Sequence, residues 1–426
     1  MKIAFVKTID ESAASLAGLF DKIRDDSRDG EGVTRDAFGP RETQAARTIE
    51  AFARNRGLET AYDQGGNLHI ARPGQIDEAP EIIIASHLDS VPVGGNYDGL
   101  AGVIAGVAVL SALKDEPATA NTALRGIGFR GEESPWFSQA YLGSKLLLGE
   151  FNRTDLDALR RFDTGKTLVE HITDLGITLP QGKLPPMIPL DRLKAYFELH
   201  IEQAPLLENL GRPLGVANAI RGNIRHPFAK CFGNYAHSGA VPRQFRQDAL
   251  IASARLIAFA DECWQQLIDA GNDDLVFTCG IFQTDSAEHT MTKVPGEVTF
   301  TLNIGATKNE VMEEMQNSIA TRAKKLEHEH NVRFDFGKRV GTPAVDLDDS
   351  LMTAVEIAGK EIGIFPHRMP TVGHDAVMFQ RRGIPASVLL IRNANGSHNP
   401  KEHMDLKDFI IGTKVLASTI YQMCRS

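Results

Sequence analysis

The chain has 426 residues, with 46 Lys and Arg against 55 Asp and Glu, a formal net charge of −9, 13 His and only 4 Cys. At about 150 residues per domain this length predicts two or three domains with a large core, and 42% hydrophobic with 24% charged residues is an ordinary globular composition. The acidic balance, without any Lys- or Arg-dense stripe, argues against nucleic acid as a partner, and no apolar run reaches the ~18 residues of a membrane span.

The opening residues 1–8 are too short an apolar stretch for a signal peptide. Cys231, Cys263, Cys279 and Cys424 are far apart and show no CxxC spacing, so they read as free thiols in a reducing compartment. The expected location is the cytoplasm.

In chain order, residues 11–23 have helical spacing, a Gly-, Asp- and Arg-rich stretch fills 25–40, and 42–56 is helical again. Residues 81–85 are a nearly continuous apolar run, the mark of a strand buried on both faces. A Gly-rich loop and a helix over 99–113 follow, rich in Ala and Val. Residues 124–129, 195–199 and 386–391 read as further strands. This alternation predicts an α/β fold with a mostly parallel sheet.

The middle of the chain has another rhythm: strand 223–232, helix 246–268, strands 275–282 and 297–304, helix 308–327 and strand 332–336. That β-α-β-β-α-β order predicts a small α+β sandwich inserted into the larger domain. Gly and Pro near 211–215 and 341–343 mark its limits. The expected division is 1–213 with 341–426 for the main domain and 214–340 for the insertion.

Acidic and imidazole residues lie just past the ends of these apolar strands. His87 and Asp89 follow the first, with Asp98 opening the next helix; Glu132 and Glu133 follow 124–129; His200 ends 195–200; His398 lies seven residues beyond Ile391. Open α/β sheets bind ligands outside the carboxyl ends of their strands, so these residues can converge on one crevice. Imidazoles and carboxylates without thiolates suit Zn, Mn, Co or Ni. Singly, each has a plainer reading: a hydrogen-bonded strand-end His, turn chemistry at Asp98, a solvated Glu pair. Repetition at equivalent strand ends favours the metal site.

Two motif matches carry no function. Gly126-Ile-Gly-Phe-Arg-Gly131 fits GxGxxG but opens no helix, and His328-Glu-His330 reads as a solvated helix end.

These residues resemble the M20 superfamily of dinuclear metallo-aminohydrolases. Within it they resemble the branch of N-carbamoyl-L-amino-acid hydrolases, allantoate amidohydrolases and β-ureidopropionases. The matching strings are His87-Leu-Asp89 with the loop to Gly99, Gly131-Glu-Glu-Ser134, Glu198-Leu-His-Ile-Glu-Gln203, Ala236-His-Ser-Gly239, Pro242 with Arg246-Gln-Asp248, Val294-Pro-Gly-Glu297, Gly373-His-Asp-Ala376 and Ser397-His-Asn-Pro400.

The resemblance implies two divalent metal ions bridged by Asp98, one completed by His87 and His200, the other by Glu133 and His398. Asp89 would orient His87, Glu132 would be the general base, and His237 on the inserted domain would stabilise the oxyanion. The inserted domain would act as a lid and carry a homodimer contact. Gln203, His374 and Asn223 would face the substrate, a small molecule carrying a carboxylate.

The family's Asn and Arg that hold that carboxylate are replaced here by Thr292 and Gly305. Arg221, Arg243 and Arg392 are candidate substitutes, with His289 a weaker one. The expected activity is hydrolysis of a linear ureido or amide C–N bond. An N-carbamoyl or ureido acid is the first expectation and an N-acyl amino acid the alternative; a non-catalytic metal-stabilised binding protein is a third reading.

Overall fold

The computed structural model describes residues 4–425, so the first three residues of the opening stretch lie outside it. The chain divides into two compact units: one runs up to Asn218 and resumes at Leu347, and the other is Ala219–Asp346.

The first unit is built on a mixed sheet. Strands Ala386–Ile391, Ala195–Ile201, Ile82–His87 and Leu124–Phe129 lie side by side and parallel, and every residue of the four is buried. Sequences this apolar can pair only where both faces are covered. Helix Leu100–Leu113 supplies one cover, buried nearly throughout, and Leu406–Met423 packs beside it. Antiparallel strands Leu68–Ala71 and Glu59–Tyr62 extend one side, and Leu214–Ile220 pairs antiparallel with Ala386–Ile391 on the other.

That last pairing sets the boundary. Residues 214–218 belong to the large sheet, with Leu389↔Val216 and Ile391↔Leu214 in register, so the inserted unit starts at 219 rather than 214. On the return, Leu347 N–H donates to Asn218 O at 3.0 Å, which moves the other limit from 341 to 347.

The inserted unit is an antiparallel sheet in the order Val276–Thr278, Glu297–Ala306, Gly222–Phe232, Arg333–Asp335. Helices Ala249–Asp269 and Asn309–His330 pack on it. Glu297–Ala306 alternates as a half-covered strand should, with Val298, Phe300, Leu302 and Ile304 in the core beside Leu256, Ala260, Met315 and Ile319. The single strand expected over 275–282 is two, Val276–Thr278 and Phe282–Thr284, because the backbone leaves the ladder between them. Likewise the helix expected over 11–23 is part of a pair, Ala4–Glu11 and Ala13–Asp26.

All four cysteines are free, and among the described residues no helix is long and apolar enough to cross a membrane.

Candidate metal centre

Parallel pairing places the carboxyl ends of four strands in a row, and the side chains singled out by sequence come together there. His87 ends Ile82–His87 and His200 is the penultimate residue of strand Ala195–Ile201. Glu132 and Glu133 follow Leu124–Phe129, and His398 arrives on the loop after Ala386–Ile391. Asp98 enters from the loop before helix Leu100–Leu113 and stands in the middle of them. Its Oδ1 lies 3.3 Å from His87 Nε2 and 3.1 Å from His200 Nε2, and its Oδ2 lies 3.5 Å from His398 Nε2. His398 Nε2 is in turn 3.2 Å from Glu133 Oε1. The result is two triads, His87-Asp98-His200 and Asp98-Glu133-His398, sharing one carboxylate.

The hydrogen bonding around the first triad selects the imidazole tautomers. His200 Nδ1 donates to Ile201 O at 2.8 Å, and His87 Nδ1 lies 3.2 Å from Asp89 O and 3.4 Å from Asp89 Oδ1. With each Nδ1 turned to these oxygens, both Nε2 atoms face Asp98 Oδ1, and His200 Nε2 also accepts Gly99 N–H at 3.2 Å. That oxygen is buried and accepts no hydrogen bond. Two imidazole nitrogens and a carboxylate oxygen gathered in this way are a donor set that suits a divalent cation. Gly99 makes the approach possible: its φ is +68°, and a Cβ there would come within 2.4 Å of the His87 ring.

Asp98 Oδ2 is held differently, accepting from the Gln203 amide at 2.7 Å and from the Ser397 hydroxyl. Glu402 supports the same carboxylate from behind. Its Oε1 accepts the backbone N–H groups of Tyr97 (2.8 Å) and Asp98 (3.2 Å), and its Oε2 lies 2.6 Å from Ser397 Oγ. Burial, helped by the nearby Asp98 charge, pushes the Glu402 carboxyl up to about 7.

Asp89 does more than face His87. Its Oδ1 accepts from Glu132 N–H at 2.9 Å and its Oδ2 from Glu133 N–H at 3.0 Å. Glu132 itself is buried with Oε2 4.0 Å from His87 Nε2. Burial pushes its carboxyl well above the usual range, and Glu133, Asp375 and Asp89 add to the shift while His87 opposes it.

His374 lies behind His200, ring centroids 4.4 Å apart, hydrogen-bonded to Thr371 Oγ1 at 2.9 Å. Burial, then the neighbouring His200, hold His374 well below its ordinary range, so it is neutral. Arg392 is engaged elsewhere: Nε and Nη2 both lie 2.8 Å from Asp408 Oδ2.

The remaining sequence candidates belong to the inserted unit. His237 is exposed, and its Nδ1 accepts from Gly239 N–H (3.1 Å) and Ala240 N–H (3.2 Å), leaving Nε2–H as a free donor. Asn223 is paired with Gly305 across the ladder. Arg221 is half-buried, with Nε donating to Asp274 O at 3.0 Å. Arg243 lies exposed in a short turn. Thr292 O accepts from Ser238 N–H, and His289 is hydrogen-bonded to Thr284.

Sequence reasoning missed Ser397, Glu402 and Arg35. Ser397 stood in a quoted motif without a role. Glu402 and Arg35 reach the site through contacts distant in sequence, to the 88–98 loop and to Ser397, which no residue pattern reveals.

A family model described as Peptidase family M20/M25/M40 matches residues 83–422. The N-carbamoyl-L-amino acid amidohydrolase of Geobacillus stearothermophilus is 30% identical over 399 residues, covering 92% of this chain and 94% of that protein. The allantoate amidohydrolase of Escherichia coli K12 is 29% identical over 396 residues, covering 92% and 93%. Among solved structures, a hydantoinase/carbamoylase family amidase from Burkholderia phymatum superposes with a TM-score of 0.83 at 25% identity over 97% of each chain. Another from Burkholderia multivorans shares the fold with a TM-score of 0.85 at 24% identity, covering 97% of this chain and 98% of that one. With that family match and relatives covered almost end to end, the chain belongs to peptidase family M20/M25/M40.

Proposed function

We propose that this protein is a metal-dependent amidohydrolase that cleaves a linear, non-peptide C–N bond in a small molecule, with an N-carbamoyl amino acid or ureido acid as substrate. The observation that carries the reading is the carboxylate of Asp98, whose two oxygens serve two separate triads, one of them aimed at an oxygen with no hydrogen-bond donor. The substrate class is supported by the activities named for the relatives, N-carbamoyl-L-amino acid and allantoate hydrolysis.

In this reading His87, Asp98 and His200 would hold one divalent ion, and Asp98, Glu133 and His398 would hold a second. Nitrogen and oxygen donors without thiolate suit Zn, Mn, Co or Ni. When bound, such ions supply Lewis acidity and lower the pKa of water. The chain's own residues do the rest. Glu132 accepts the proton of the attacking water and returns it to the departing nitrogen. Asp89 holds both glutamate peptides and the His87 ring in place. His237 offers Nε2–H to the developing oxyanion, and the inserted unit acts as the lid that delivers it and as the contact of a homodimer. Gln203, His374 and Asn223 contact the substrate, and Arg221 or Arg243 holds its carboxylate in place of the arginine missing at 305. The free thiols support a cytoplasmic setting.

The experiment is a panel of N-carbamoyl amino acids and ureido acids incubated with Mn-, Zn- and Co-loaded protein, with ammonia as readout. Ammonia release abolished by chelator and by Glu132→Gln supports the reading. Release of a carboxylic acid without ammonia from N-acyl amino acids would replace it with the acylase alternative.

A further inference from the structure

Arg35 lies outside the residues matched by the family model, in the Gly-, Asp- and Arg-rich stretch over 25–40. It is fully buried, yet its guanidinium is spent on neutral acceptors. Nε donates to Leu88 O at 2.7 Å, Nη1 to Asn96 Oδ1 at 3.3 Å and Nη2 to Asp98 O at 3.3 Å. A cation is costly to bury without compensation. The carboxylates whose fields act on it most are Glu402, Asp89, Asp98 and Glu133, all members or supports of the metal centre.

The acceptors are as informative as the charge. Leu88 and Asp98 are the two ends of one loop, which carries Asp89 at its start and the shared carboxylate at its finish. The segment 32–35 is stitched along this loop. Val33 and Gly94 exchange N–H···O bonds of 3.0 and 2.8 Å, and Val93 N–H donates to Thr34 Oγ1 at 2.8 Å. Ser90 N–H donates to Arg35 O at 3.0 Å, and Arg35 N–H donates to Ser90 Oγ at 2.9 Å. The backbones run so close that a Cβ on Gly32 would lie 2.6 Å from Gly94 O.

We propose that Arg35 is a positioning residue of the metal centre, tying both ends of the 88–98 loop so that His87 and Asp98 keep their ligand spacing before a cation arrives. The proposal rests on the metal reading above. Its fork geometry is essential: a lysine keeps the charge but presents one nitrogen and cannot span the two carbonyls and the Asn96 amide.

The test titrates cobalt(II) into metal-stripped wild type, Arg35→Lys and Arg35→Met, each shown folded by circular dichroism at the working temperature. Affinity is read by chelator competition and geometry by the visible absorption of the bound cobalt. Both variants are expected to bind cobalt at least about tenfold more weakly, the range seen when groups supporting metal ligands are removed, and both should show an altered cobalt spectrum. A residue that only props up the fold would lower the melting temperature and leave affinity and spectrum alone. Affinities within twofold of wild type with an unchanged spectrum, in either variant, overturn the proposal.

Should neither variant fold, Asn96→Ala removes one of the three acceptors and is expected to weaken cobalt binding about threefold; no change there also overturns it. A wild-type protein that takes up no cobalt refutes the metal reading itself, which is a separate and recognisable failure.

Discussion

Asp89 Oδ1 accepts the backbone N–H of Glu132 at 2.9 Å while its other oxygen takes the N–H of Glu133 at 3.0 Å. One buried carboxylate thereby fixes the peptide that carries both the proposed base and a proposed ligand, and the same Oδ1 lies 3.4 Å from His87 Nδ1. Asp89→Asn turns one of these acceptors into a donor facing an N–H group. Metal affinity and kcat are both expected to fall about 10–100-fold, measured by chelator competition and by steady-state ammonia release.

Glu132→Gln keeps the volume and removes the proton acceptor. The expected result is a kcat lowered about 10²–10⁴-fold, the span of general acid–base contributions, with metal content unchanged by elemental analysis because Glu132 belongs to neither triad. Loss of metal together with activity would assign it a different role.

Metal uptake should depend on pH with a definite sign. The Glu133 carboxylate beside it, partly offset by burial, pushes the His398 imidazole up to about 9. The metal-free form therefore holds a proton that a cation must displace. Below pH 9 the apparent affinity at that site should rise with pH, by up to about tenfold per unit. Cobalt titrations at several pH values, with proton release followed in weak buffer, check this; a flat profile would exclude His398 as a ligand.

Gly99→Ala tests the close approach at the centre. The added methyl would lie within 2.4 Å of the His87 ring at a φ of +68°. Either the ring or the loop must move. Metal binding is expected to weaken at least about tenfold, read by calorimetric titration.

The carboxylate contact can be assigned by comparing arginines. Arg221→Ala and Arg243→Ala should be examined with anionic and neutral amides of the same shape. The residue that holds the carboxylate is the one whose loss raises KM for the anion by about tenfold or more, on the scale of a charge-assisted hydrogen bond, with kcat little changed. Arg392→Ala is expected to spare KM and lower the melting temperature, because that guanidinium already serves Asp408.

The α/β order and the inserted sandwich are legible in the residue patterning alone, as are several side chains that gather at the strand ends. Buried parallel strands are continuous apolar runs, and their ends are where chemistry can be placed; His87, Glu133 and His200 are legible for that reason. Family resemblance added which of them share a carboxylate. The sequence did not place the true limits of the insertion, since strand Leu214–Ile220 is claimed by a partner, Ala386–Ile391, some 170 residues away along the chain. Nor could it show Arg35 or Glu402. Their side chains meet backbone groups of the 88–98 loop, and a carbonyl carries no residue identity. Only the tertiary fold brings residue 35 to Leu88 and Asp98 and residue 402 to Tyr97. Long-range hydrogen bonds to main chain leave no periodicity or motif behind, so the support of this centre was decided by folding rather than written as a pattern.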